Sequence, residues 1–117
     1  MINIRPASKE DVLKFYDSLE RSMRAWVVEN EEVLAIGGFT FHPYGLVFFS
    51  KKSEKCPAKS FYKACKIGLS EGLKYNMPIW AVRERELESS TRFLTKLGFK
   101  FSHINTDNDD IYLWDKH

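Results

Sequence analysis

At 117 residues the chain has room for one folded domain, and a 44% apolar, 15% aromatic composition supplies a core and excludes a disordered chain. A net charge of +2 is too small to argue by itself for a nucleic-acid partner. No apolar run approaches the roughly 20 residues of a membrane span, and the first residues lack the apolar stretch of a signal peptide. The expectation is a soluble, unexported, cytoplasmic protein with no membrane partner.

In chain order, residues 2–5 read as a strand that Pro6 ends. Ser8 then stands as an N-cap with Asp11 in capping-box position. Val12, Phe15, Tyr16, Leu19 and Met23 keep helical spacing, which predicts a helix over residues 9–21. Residues 24–29 are strand-like, with a turn at Asn30-Glu31. Residues 33–41 form the next strand, interrupted by Gly37-Gly38, a pair that marks either a bulge or a close approach to the backbone. His42-Pro43-Tyr44-Gly45 is a turn. Residues 46–49 make a short apolar strand, expected at the sheet centre and buried on both faces.

After a lysine-rich loop, a helix is expected from residue 59 or 60, with Phe61, Ala64, Cys65, Gly68, Leu69, Gly72 and Leu73 on its inner face. Small residues at 64, 68 and 72 let that helix lie close against a sheet. Pro78 precedes a strand over residues 79–83. A helix over residues 88–97 turns Phe93, Leu94 and Leu97 inward, and Gly98 then takes a left-handed conformation that Phe99 caps. Strands over residues 99–104 and 111–114 finish the chain. The order β-α-β-β-β-α-β-α-β-β predicts an α+β or α/β class, with a mixed sheet flanked by helices on both faces of one domain over residues 1–117.

Chemistry is sparser than structure. Cys56 and Cys65 read as reduced thiols of a cytosol. His42, His103 and His117 are scattered, and no Cys-x-x-Cys or His-x3-His spacing suggests a metal. Lys51, Lys52, Lys55, Lys59, Lys63 and Lys66 fall within sixteen residues with Glu54 as the one acid among them. That run is either a solvated loop and helix face or an anion site.

Three segments resemble the GNAT (Gcn5-related N-acetyltransferase) family in order and spacing. They are the opening IRPASKED (residues 4–11), ENEEVLAIGGFT (residues 29–40) and LESSTRFLTKLGF (residues 87–99). The last is similar to the family's fourth helix, N-x-x-[AS]-x-x-[FL]-Y-x-K-x-G-F, and together they cover nearly the whole chain. The resemblance implies a GNAT fold and acetyl-CoA-dependent acetylation of an amine on a small molecule or protein.

The family binds pyrophosphate with [QR]-x-x-G-x-[GA], whose backbone amides and helix N-terminus face the phosphates. The equivalent stretch here is KKSEKCPAKS (residues 51–60), which has no glycine, and Pro57 removes a donor. By this resemblance the cofactor-binding residues are Phe48, Phe49, Ser50, Lys51, Lys52, Lys59 and Ser60, with lysines acting as point charges. The family tyrosine that protonates the leaving thiolate corresponds to Leu94, and the family asparagine to Leu87; neither leucine donates a proton. A general base belongs near the end of the strand over residues 79–83. Glu84 and Glu86 are candidates there, or solvated ion pairs with Arg83 and Arg85. Tyr44 and Glu32 are further candidates, and His42 is either a proton carrier or an ordinary turn residue.

The short chain, the lysine-rich loop and an RFL-x-K-x-G helix without tyrosine resemble small GNAT-like proteins of tailed bacteriophages, including internal virion proteins of podoviruses. That resemblance implies an alternative: a catalytically inactive scaffold that binds a partner in the virion or the host cytoplasm. Trp26, Trp80, Trp114, Phe39, Phe41, Phe48 and Phe49 then either pack the core or present a patch to a protein partner or a homodimer. Nucleic-acid binding by the lysines has no recognised motif behind it.

Overall fold

The computed structural model describes residues 2–16, 22–84, 88–105 and 109–114. One seven-stranded mixed sheet organises them. Its strands are β1 (Asn3–Pro6), β2 (Met23–Asn30), β3 (Glu32–His42), β4 (Gly45–Lys52), β5 (Ile79–Glu84), β6 (Phe99–Asn105) and β7 (Asp109–Trp114), arranged β1-β2-β3-β4-β5-β7-β6. β4 and β5 run parallel, and the other neighbours run antiparallel. The helices are α1 (Lys9–Leu13), α2 (Ala58–Gly72), which runs into a 3-10 turn at Leu73–Tyr75, and α3 (Glu88–Leu97). This is the expected α+β arrangement in the expected order.

Two cores divide the faces of the sheet. On one face, α2 and α3 bury Phe39, Leu46, Phe48, Ile79 and Phe99 beneath Cys65, Leu69, Leu94 and Leu97. On the other, Val12 of α1 covers Ala25, Val27 and Ile36, with Phe15, Tyr16 and Phe49 at its margin. Strand alternation sorts the side chains: the even residues of β4 go with α2, the odd ones with α1.

The Gly37-Gly38 pair serves close approach, and the register slip lies elsewhere, between Val28 and Glu29. A Cβ on Gly37 would stand 2.9 Å from Cys65 Sγ, and one on Gly38 would stand 2.1 Å from Arg24 O. The α2 helix therefore rests almost directly on the β3 backbone, as its small-residue spacing predicted.

Three expectations need correction. The first helix ends at Leu13, short of residue 21, because Lys14, Phe15 and Tyr16 turn their N–H groups back to Asp11 and Val12; Met23 opens β2 instead of closing a helical stripe. Residues 17–21 lie outside the described residues. Leu73 is 40% exposed, since the inner face of α2 ends at Gly72 and the chain tightens into the 3-10 turn. The apolar strand over residues 46–49 is longer than its apolar core, because β3 continues to pair with β4 out to Ala35↔Lys52. Gly98 does take a positive φ, 108°, at the end of α3. Trp114 Nε1 donates to Leu97 O at 2.9 Å and fixes that corner.

Candidate functional site

The parallel pair at the sheet centre comes apart. β4 and β5 pair through Leu46↔Ile79, Val47↔Trp80 and Phe48↔Ala81, and there the register stops while both strands continue. Beyond that point β4 stays on β3 and β5 stays on β7, so a wedge opens between them. The backbone pattern tells which amides face it. Leu46 N–H donates to Pro78 O, toward β5, whereas Ser53 N–H donates to Leu34 O, toward β3. Alternation then directs the amides of Phe48, Ser50 and Lys52 toward β5, and those of Ser50 and Lys52 lie where β5 has diverged.

A cavity of about 370 Å³ adjoins this edge, lined by Ser50, Lys51, Lys52, Ala58, Phe61, Tyr62, Phe93 and Lys96. Its floor is the stacked pair Phe61–Phe93. Its rim is polar: Lys52 Nζ lies 3.5 Å from Cys56 O, and Tyr62 donates its hydroxyl to Lys96 O at 3.1 Å. Lys96 Nζ sits over the Tyr62 ring, 4.7 Å from its centroid. The first intrahelical bond of α2 joins Phe61 N to Pro57 O, so the amides of Ala58, Lys59 and Ser60 precede it at the positive end of the helix dipole. Pro57 is the N-cap and supplies no side-chain cap. In the preceding loop, Ser53 Oγ is buried without a hydrogen-bond partner among the described residues.

The sequence-predicted residues separate around this wedge. Phe48 is buried against Phe99, with ring centroids 5.4 Å apart. Phe49 points to the opposite face, edge-on to Tyr16 at 5.5 Å. Ser50 and Lys52 line the cavity, and Lys59 and Ser60 stand in the first turn of α2. Lys51 sends its ammonium away: Nζ bonds Phe15 O at 3.2 Å and lies over the Tyr16 ring. Burial pushes the Tyr16 hydroxyl up to about 12.

Tyr44 does not join them. It is 89% exposed in the β3–β4 turn, at the start of β4, whereas the wedge opens at the other end. Six residues of strand, roughly 20 Å, separate it from Ser50. Glu84 ends β5, opposite Asp109, beside the wedge; Glu86 and Leu87 lie outside the described residues. Glu32 is paired with Lys55 at 3.2 Å on the surface. His42 Nε2 lies 2.8 Å from Thr40 Oγ1, an ordinary strand-end contact. Leu94 is buried in the core, 6% exposed. Burial also pushes the Cys56 and Cys65 thiols up, which leaves them poor nucleophiles.

Sequence reasoning missed Tyr62 and Lys96 as site residues and took Phe61 and Phe93 as core alone. Lys96 stands at the lysine of the quoted helix motif, so a signal for it was present. Nothing in the sequence pairs residue 62 with residue 96. Among the described residues no helix is long and apolar enough to cross a membrane, and no group of three His, Cys, Asp or Glu could hold a metal.

No protein-family model matches this sequence, and no curated protein matches it at a significant level. Its structure is similar to those of acetyltransferases. An N-acetyltransferase from Staphylococcus aureus Mu50 superposes with a TM-score of 0.75 at 17% identity, covering 98% of each chain. A Bacillus subtilis acetyltransferase solved in complex with CoA gives 0.72 at 10% identity over the whole of both chains. An acetyltransferase from Agrobacterium tumefaciens C58 gives 0.68 at 11% identity over 80% of this chain. This chain spans only 61% of that protein's length. The chain thus has the GNAT acetyltransferase fold, at sequence identities that speak for the fold alone.

Proposed function

We propose that this protein binds acetyl-CoA in the wedge between β4 and β5 and transfers the acetyl group to an amine. The observation that carries this reading is the divergence of β4 from β5 after Phe48↔Ala81, which leaves strand-edge amides beside a cavity rimmed by lysines.

The residues present suit such a molecule in most respects. The Ser50 and Lys52 amides match the amide groups of a pantetheine arm, as a missing strand would. Lys52, Lys59, Ser60 and the first-turn amides of α2 suit a diphosphate. Bound there, acetyl-CoA supplies an activated thioester carbonyl. A strand-edge N–H of β4, beside the point where β5 diverges, would polarise that carbonyl as an oxyanion donor. Glu84, at the end of β5, is the candidate that takes the proton of the acceptor amine, directly or through water.

Leu94 favours a second reading. A side chain 6% exposed in the core, at the position of the family's tyrosine, offers no proton to a leaving thiolate. Loss of a general acid costs about 10²–10⁴-fold in rate, so transfer persists slowly or the fold serves as a binding scaffold. Calorimetric titration with acetyl-CoA and with free CoA separates the two. Micromolar binding followed by acetylation in a panel of amines supports the enzyme; no heat and no thermal stabilisation at millimolar cofactor leaves the scaffold.

A further inference from the structure

We infer that Lys96 of α3, held in place by the ring of Tyr62, works with Lys52 as a two-sided lysine clamp for the diphosphate of the bound coenzyme. This deepens the reading above and rests on it for the identity of the ligand.

The loop before α2 is the first part of the argument. It carries no glycine, starts its helix on a proline and offers no side-chain cap. Lys52, exposed at the end of β4, sits at the strand side of the cavity, with its ammonium 3.5 Å from Cys56 O. Of the other nearby lysines, Lys51 is turned to the α1 face and Lys55 is paired with Glu32. Lys51 and Lys55 are thus withdrawn from an anion in the cavity.

Lys96 fills that gap from the opposite wall. It reaches the cavity from the last turn of α3, and its ammonium lies 4.7 Å above the Tyr62 ring centroid. The Tyr62 hydroxyl is in turn anchored on Lys96 O, so ring and lysine backbone fix one another. A cation–π contact of this kind limits the rotamers of a long flexible side chain without neutralising its charge. Among the described residues, no carboxylate lines the cavity. Phe61 and Phe93 form its apolar floor. Phosphate binding that leans on lysine charges also fixes the signature: affinity falls with salt.

The test is calorimetry of the whole protein with acetyl-CoA and with inorganic pyrophosphate, at low and at 0.3 M salt. Lys96→Met and Lys52→Met each lower acetyl-CoA affinity by about tenfold and flatten its salt dependence. Lys63→Met, one residue along α2 from Tyr62 and outside the cavity, leaves both unchanged. Tyr62→Leu weakens binding several-fold, while Tyr62→Phe, which keeps the ring, weakens it less; thermal midpoints without ligand check that each variant is folded. If acetyl-CoA binds and Lys96→Met changes neither affinity nor salt slope, the clamp is wrong and the acetyl-CoA reading stands. Pyrophosphate binding that depends on Lys96, without acetyl-CoA binding, keeps the clamp and removes the acetyl-CoA reading. A protein that binds neither overturns both.

Discussion

The rings of Phe61 and Phe93 stack with centroids 4.9 Å apart and planes within 8° of parallel. Phe61 lies in the first turns of α2 and Phe93 in the middle of α3, so this contact fixes the two helices that frame the cavity. Truncating the buried Phe61 to Ala should cost about 3 kcal/mol of stability. A double-mutant cycle with Phe93→Ala should return a coupling of about 1 kcal/mol beyond simple area loss. Urea unfolding of the four proteins measures it; purely additive losses would mean that the stacking contributes nothing specific.

Glycines at the β3–α2 contact give opposite predictions. A Cβ on Gly38 meets the β2 backbone, at 2.1 Å from Arg24 O and 2.6 Å from Ala25 Cα, and backbone cannot step aside. Gly38→Ala should break the β2–β3 ladder and prevent folding to a cooperative state. Gly68→Ala meets Trp26 and Gly38 at 3.5 and 3.6 Å, ordinary contact distances, in a helix interior. It should stabilise the protein by up to about 1 kcal/mol through helix propensity. Equal thermal midpoints for the two variants would refute the close-approach account.

The difference between these glycines shows what sequence could and could not convey. The element order, the inner face of α2, the capping box at Ser8 and the Gly98 terminus were all legible, because each rests on local periodicity or a local backbone rule. The cofactor-binding segment was legible only through resemblance: the apolar run Leu46–Phe49 signals a central strand, and nothing in it says where pairing with β5 stops. Side-chain destinations were the hardest to read. Lys51 and Lys52 are neighbours in sequence, yet strand alternation sends one to Phe15 O and leaves the other in the cavity. Tyr62 and Lys96 meet where Phe61 and Phe93 stack between their helices.

A buried carboxylate ties the N-terminus into the sheet and sets an acid limit. Asp11 is 4% exposed and accepts from Arg5 at 2.8 and 3.2 Å, and from Ser8 N–H and Oγ at 2.8 and 3.0 Å. The Arg5 guanidinium, with help from Ser8, holds its carboxyl well below the usual carboxylate range, against the opposing effect of burial. A depressed folded-state value means the contribution is complete above the unfolded value of about 4 and fades as pH falls further. Stability to urea should therefore drop below about pH 4. Asp11→Asn should cost about 2 kcal/mol at pH 7 and show a shallower acid decline. Parallel acid declines in the two proteins would show that the pair carries no pH-dependent stability.

The wedge itself can be tested without touching a charge. Ser50 N–H points to the side that β5 has left, so a proline there removes an amide that the sheet does not use, as at an edge strand. One residue on, Lys51 N–H points back to β3, where its loss breaks a ladder bond. Ser50→Pro should keep most of the thermal stability and lower acetyl-CoA affinity by about tenfold, the scale of one well-placed hydrogen bond. Lys51→Pro should instead destabilise the fold by about 3 kcal/mol, an effect of backbone chemistry that Lys51→Met does not share. Calorimetry with acetyl-CoA and thermal unfolding of the three variants distinguish the outcomes. Unchanged affinity in Ser50→Pro would mean that the edge of β4 does not hold the ligand. Unfolding of Ser50→Pro to the same extent as Lys51→Pro would mean that β4 has no open edge at all.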